Sequence, residues 1–298
     1  MCKNIYPFVS LHVPQRLCVA ACLFACITAS ATVIEEVIDM PIAVKNRFGL
    51  ETKQTMKVGI LRDDAVATPQ PFLVLGHGRP ANGNFAGYKW TSYRKQGNYF
   101  VSRGFAVFIP LRVGYGETGG PDVEESGTCN ARNFDFTYAV AGIQTRKVIE
   151  LAKIKPYVNP EKGVVAGQSF GGTLAIEAAA QNIPGVVATI NFAGGGGGDP
   201  VGRPENPCSS GRLEDVFAKY GKTATVPTLW LYSENDGYWG KKIPHKWFGA
   251  FIKRGGNGEF VQLAPVPDAG VAGGHLAFSR SMNEWQPVVD RFLQKVGL

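Results

Sequence analysis

Past Cys26 the sequence has little cysteine: Cys2, Cys18, Cys22 and Cys26 lie near the start, and only Cys129 and Cys208 follow. Histidine is scarcer than cysteine, with His12, His77, His245 and His275 in 298 residues. They form no HExxH spacing, so the sequence offers no metal site and implies no metal or other cofactor. The apolar run Leu17 to Ile27 is well short of the roughly 20 residues a membrane-spanning helix needs, and no later run reaches that length. A concentrated basic stretch is missing too. Lys and Arg exceed Asp and Glu by 31 to 24, but they are scattered without interleaved aromatics, which describes a mildly basic exterior and not a nucleic-acid surface. With 45% hydrophobic and 18% charged residues, disorder and a peptide-sized product are excluded as well.

The start of the chain reads as an export signal. Lys3 and Arg16 precede the apolar run, and Ala29-Ser30-Ala31 supplies a small-residue cleavage site, giving a signal peptide over residues 1–31 and one domain over 32–298. A lipid-anchored form is the alternative, since Cys22 and Cys26 each follow small residues. After removal of the leader only Cys129 and Cys208 remain, and an even pair in a periplasmic or secreted protein suggests one disulfide. Two buried free thiols are the other reading.

Past the leader, short apolar runs alternate with helical patterns. Val33 to Val44 and Lys53 to Leu61 look like an antiparallel pair. Phe72-Leu73-Val74-Leu75, Phe105 to Leu111, Gly163 to Gly167, Val186 to Phe192, Thr228 to Tyr232 and Phe260 to Leu263 look like further strands. Continuous apolar runs suit strands covered on both faces. Helical patterns cover about Lys89 to Arg103, Phe134 to Lys155, Phe170 to Asn182 and Asn283 to Val296. The alternation implies an α/β protein with a mainly parallel central sheet and helices on both faces. Ligands of such sheets bind outside the carboxyl ends of the strands. Two long irregular segments, Arg112 to Asn133 and Gly194 to Gly211, carry one of the two remaining cysteines each.

The strongest local signal is Gly167-Gln168-Ser169-Phe170-Gly171, directly after an apolar strand and directly before a helix of small residues. This is the setting of a nucleophile elbow, where glycines flank a serine held on a tight strand-to-helix turn. A serine hydroxyl needs a base and a group to orient that base. In the order expected for such an elbow, Asp236 comes next, after the strand ending at Tyr232, and His275 follows it, before the last helix; the intervals leave room for β/α units between successive members. Glu234 is the rival acid at the same strand end. Asp268 reads as a loop residue and His245 as a surface or capping residue. Gly76-His77-Gly78-Arg79 follows an earlier strand, where such a turn contributes one oxyanion donor; the N–H of Arg79, or that of Gly78, would act with the N–H of Phe170. The run Gly194 to Gly198 lacks the order of a phosphate-binding loop and reads as a place of close backbone approach. Tyr88, Trp90, Tyr115, Tyr238 and Trp239 lie near strand ends as candidate pocket residues, with core packing an equal reading for the tryptophans.

These motifs together resemble the α/β-hydrolase superfamily, in particular the dienelactone-hydrolase-like esterases and their prolyl-oligopeptidase-like relatives. The resemblance runs from Phe72-Leu73-Val74-Leu75-Gly76-His77-Gly78 through Gly167-Gln168-Ser169-Phe170-Gly171-Gly172 to Gly274-His275, and includes Arg112-Val113-Gly114-Tyr115-Gly116. It implies the α/β-hydrolase fold and a cofactor-free serine hydrolase of small carboxylic esters, with Ser169, His275 and Asp236 as the triad. Dienelactone hydrolases proper use cysteine where this chain has Ser169, so their substrate does not carry over. A serine peptidase is the alternative among enzymes, although those relatives carry a propeller domain for which the mature chain leaves no room. A binding protein that keeps the fold without turnover is the alternative outside enzymes.

Overall fold

A computed structural model describes Met1 and residues 33–66 and 69–298; the proposed signal peptide beyond Met1, with Cys2, Cys18, Cys22 and Cys26, lies outside the described residues. Eight strands form one sheet in the order β1-β2-β4-β3-β5-β6-β7-β8. They are β1 Val33–Lys45, β2 Glu51–Asp63, β3 Gln70–Gly76, β4 Ala106–Leu111, β5 Val158–Gln168, β6 Val186–Phe192, β7 Thr228–Ser233 and β8 Gly258–Leu263. β1 pairs antiparallel with β2, β2 antiparallel with β4, and every later pairing is parallel. The helices are α1 Arg94–Val101, α2 Phe134–Lys153, α3 Phe170–Ala180, α4 Ser210–Gly221, α5 Lys242–Lys253, α6 Ala277–Arg280 and α7 Met282–Lys295.

Side chains of one strand point alternately to opposite faces, and both faces here are apolar. Leu73 and Leu75 of β3 join Val107 and Ile109 of β4 under Phe100 of α1 and Trp285, Val289 and Phe292 of α7. Phe72, Val74 and Phe108 point the other way, towards Val148 and Ile149 of α2 and Ala175 of α3. Further along that face, Trp230 and Tyr232 of β7 pack with Leu213 and Phe217 of α4 and Trp247 and Phe251 of α5. Period-two alternation within an all-apolar run is what a doubly covered sheet requires.

The helical patterns read from the sequence do not include α4, which begins at Ser210, at the close of the irregular stretch Gly194 to Gly211. Leu213, Val216, Phe217 and Tyr220 are among the helix's buried residues, at helical spacing. The set of aromatics near the strand ends also divides. Trp90 is buried in the core, where its ring takes the space a Cβ on Gly59 would need, and Tyr115 and Trp239 are buried as well, Trp239 still lining a cavity that opens on Ser169. Tyr88 and Tyr238 alone of the five are only half-buried.

Candidate active site

β5 runs into α3 through one residue in the left-handed region. Ser169 has φ 58° and ψ −121°, a conformation that costs a non-glycine residue on the order of 1–3 kcal/mol. Its surroundings enforce it. The Ser169 N–H donates to the Phe192 carbonyl at 2.9 Å, and the Ser169 carbonyl accepts from the Gly172 N–H at 2.8 Å. A Cβ on Gly167 would meet the Gly171 carbonyl at 2.2 Å, and a Cβ on Gly171 would meet the Gly76 carbonyl at 2.2 Å. Only glycine at both positions lets β3, β5 and α3 approach this closely. The turn leaves Ser169 7% exposed.

The chain after β3 wraps round the elbow. His77 is buried, and its Nε2 accepts from the Arg112 N–H at 3.1 Å. Nδ1 is therefore the protonated nitrogen, and it donates to the Gly78 carbonyl at 2.7 Å. Burial, then the charge of Arg112, hold the His77 pKa well below the ordinary histidine value against the bond to Gly78, so the ring is a neutral brace. The Arg112 guanidinium donates to the carbonyls of His77 and Gly78 and pairs through Nε with Glu124 Oε1 at 2.7 Å. Of the two N–H groups considered for this turn, that of Gly78 already donates to Tyr93 Oη at 3.2 Å. The Arg79 N–H donates to no described residue. Phe170 opens α3, so its N–H has no partner within the helix.

Asp236 and His275 are brought together from the loops after β7 and β8. Asp236 is fully buried; its Oδ1 accepts from the N–H groups of Tyr238 (2.8 Å) and Trp239 (3.1 Å). Its Oδ2 accepts from His275 Nδ1 at 3.0 Å. That bond assigns the proton to Nδ1 and leaves Nε2 with a free lone pair. The two loops are sewn together by backbone: Gly274 N–H donates to Asn235 O at 2.8 Å, and Gly237 N–H to Ala272 O at 3.0 Å. The His275 ring stacks on Tyr238, with centroids 4.0 Å apart, and meets Trp239 edge-on. Glu234, the rival acid, is exposed and pairs with Lys241 at 2.8 Å. His245 sits on α5 beside Gln262 at 3.0 Å, and Asp268 offers its carbonyl to Arg280.

Ser169 and His275 line one cavity of about 550 Å³ together with Gly78, Arg79, Gln168 and Tyr238. No hydrogen bond among the described residues joins their side chains; such bonds often tighten only in the reacting complex. A second cavity, of about 270 Å³, also opens on Ser169 and is walled by Phe134, Phe170 and Gly195 to Gly198. Each glycine of that wall touches a side chain or carbonyl where a Cβ would stand, Gly195 and Gly198 against Trp239 and Gly196 against Phe134 and Tyr138. Cys129 and Cys208 form a disulfide, and the Cys208 N–H donates to the Gly197 carbonyl at 2.9 Å. The bridge therefore fixes this wall. Two positioning groups escaped the sequence reading. Gln168 donates to the His275 carbonyl at 3.2 Å, and Tyr93 donates to Gln168 Oε1 at 3.4 Å. The partners in each pair are far apart in sequence, and no local pattern marks them.

No protein-family model matches the chain, and no curated protein matches it. Solved structures do. A dienelactone hydrolase-like promiscuous phosphotriesterase from metagenomic libraries superposes at a TM-score of 0.53 with 14% identity, over 87% of this chain and 98% of its own. Acetyl xylan esterase 1 from Thermoanaerobacterium sp. JW/SL YS485 gives 0.55 and 12%, over 90% and 89%. A thermophilic esterase from the Planctomycetes species Thermogutta terrifontis gives 0.53 and 18%, over 87% and 92%. At these identities the likeness is one of architecture, and with the sheet order and strand directions above it gives this chain the α/β-hydrolase fold.

Proposed function

We propose that the protein is an exported serine hydrolase of carboxylic esters, with Ser169 as nucleophile, His275 as general base and acid, and Asp236 as the group that orients His275. One observation carries the reading: His275, bonded to the buried Asp236 and with its imidazole Nε2 left free, shares a cavity with a serine on a strained turn. In the proposed reaction Ser169 Oγ bonds to the ester carbonyl carbon while its proton passes to His275 Nε2. The negative charge that develops on the carbonyl oxygen is met by the N–H groups of Phe170 and Arg79, neither of which has another acceptor among the described residues. Collapse of the intermediate breaks the bond to the alkoxy oxygen, which leaves with the proton from His275. Water then repeats the sequence on the acyl-enzyme and restores Ser169. Asp236 stays ionised throughout and stabilises the imidazolium.

The ester reading draws on the fold shared with esterases, and export on the leader-like start together with a disulfide of the kind kept in oxidising compartments. No helix among the described residues is long and apolar enough to cross a membrane. Turnover of p-nitrophenyl butyrate by wild type, lost by at least about three orders of magnitude in a folded Ser169→Ala variant, is the expected result. Equal rates in the two proteins would refute the proposal.

A further inference from the structure

The cavity walled by the glycine run holds an uncompensated cation. Arg132 lines it together with Ser169 and Phe170. Nη1 of Arg132 donates to Ser126 Oγ at 2.7 Å, Nε is buried with no partner, and Nη2 bonds to no described residue. Asp122, the carboxylate among this cavity's lining residues, and carboxylates of the flanking loops are matched to other arginines. Asp122 pairs with Arg79, Glu124 with Arg112 at 2.7 Å, Glu125 with Arg47 at 2.7 Å, and Asp199 with Arg203 at 3.8 Å. Arg132 has no ion-pair partner among the described residues, which leaves a surplus of one positive charge at the cavity wall. Burial, then the guanidiniums of Arg79 and Arg203, pull its pKa below the ordinary arginine value against the charge of Glu125.

The reaction geometry decides which part of a substrate meets this charge. The general acid delivers its proton to the leaving oxygen, so the alcohol must lie on the His275 side. The cavity of about 550 Å³ includes His275. The cavity of about 270 Å³ includes Ser169 and Phe170 but not His275, which makes it the acyl side. Arg132 is also well anchored for recognition. Cys129, one turn of chain before it, is bridged to Cys208, Ser209 Oγ donates to the Cys129 carbonyl at 2.6 Å, and the Arg132 side chain lies against Gly197. A planar guanidinium with free N–H groups matches a carboxylate in two-point geometry.

Resting on the ester-hydrolase reading, we propose that Arg132 selects esters whose acyl chain ends in a carboxylate, that is, monoesters of short dicarboxylic acids, with the terminal carboxylate held at the wall of this cavity.

Monoethyl glutarate and ethyl pentanoate differ only in a terminal carboxylate against a methyl group, and ethanol release reads both. Wild type should show a kcat/KM at least about tenfold higher for monoethyl glutarate, the scale of a charge-assisted hydrogen bond. That ratio should fall by roughly tenfold or more in Arg132→Gln and be partly kept in Arg132→Lys. Wild-type inhibition needs no variant: free glutarate should compete more strongly than pentanoate. A wild-type ratio of one or less with ethyl pentanoate readily hydrolysed, or a ratio unmoved by Arg132→Gln, would overturn the subsite and leave the esterase reading standing. Hydrolysis of neither ester, nor of p-nitrophenyl butyrate, would remove both.

Discussion

Gln168 Nε2 donates to the carbonyl of His275 at 3.2 Å, so the residue before the proposed nucleophile holds the loop that carries the proposed base. Its Oε1 accepts from Tyr93 Oη, which in turn accepts from the Gly78 N–H. One chain of hydrogen bonds thus couples the base loop, the elbow and the turn after β3, the three parts whose relative placement the chemistry needs. Gln168→Ala should lower kcat for p-nitrophenyl butyrate about tenfold, the scale of one lost neutral hydrogen bond, with a smaller change in KM. Steady-state kinetics check this, and an effect confined to KM would show that Gln168 only shapes the cavity.

The acid is tested by comparing two carboxylates at the same strand end. Asp236→Asn should cost on the order of 10⁴ in kcat, because an amide facing Nδ1 favours the wrong imidazole tautomer. Glu234→Gln should stay within about twofold, since Glu234 is exposed and its pair with Lys241 is at the surface. The opposite ranking would move the role to Glu234.

The disulfide joins residues 79 apart in sequence. Closing a loop of that length stabilises by about 4 kcal/mol in the chain-entropy view, so reduction should lower Tm by roughly 10 °C. Differential scanning calorimetry with and without reductant checks this. Thiol titration of the denatured, unreduced mature protein should find no free thiol, and two would rule the bridge out.

Glu177 sits inside α3 against Gly142 of α2, where a Cβ would fall 2.5 Å from its carboxylate. Burial pushes its pKa up from 4.5 to about 7, against the hydrogen bond from Gln181 and the charge of Arg146. A raised carboxyl pKa means that the folded state holds the proton more tightly than the unfolded one. Its contribution to stability is therefore complete below pH 4.5, falls as pH rises to about 7, and is gone above that. Glu177→Gln keeps an acceptor for Gln181 and removes the ionisation. The variant should be more stable than wild type at pH 8, and the gap should close on going to pH 4.5, as read by urea unfolding. A gap independent of pH would contradict the shift.

How far the sequence could be read follows from which constraints are local. Gly167 and Gly171 are legible because the close approaches at an elbow admit only glycine, and their spacing about Ser169 is fixed. The strand pattern is legible because β3, β4 and β7 are apolar on both faces. Asp236 and His275 could be placed at strand ends and Asp236 preferred to Glu234, whereas the backbone N–H groups of Tyr238 and Trp239 that hold the Asp236 carboxylate could not be read. The burial of Trp90 depends on Gly59 of β2, a distant strand position that no periodicity links to it. Helix α4 was hidden for a simpler reason: it follows a glycine-rich loop, and its apolar residues show their spacing only once the start at Ser210 is known. The surplus charge at Arg132 was out of reach for the same reason as the Gln168 network, since it depends on which carboxylates find which arginines in space.

The central claim, that Ser169 is the nucleophile, is tested most directly by mass spectrometry of the protein after reaction with a fluorophosphonate. A single adduct should appear, peptide mapping should place it on Ser169, and it should form together with the loss of esterase activity and be absent from Ser169→Ala. An adduct on another residue, or an unmodified protein that continues to hydrolyse esters, would contradict the account.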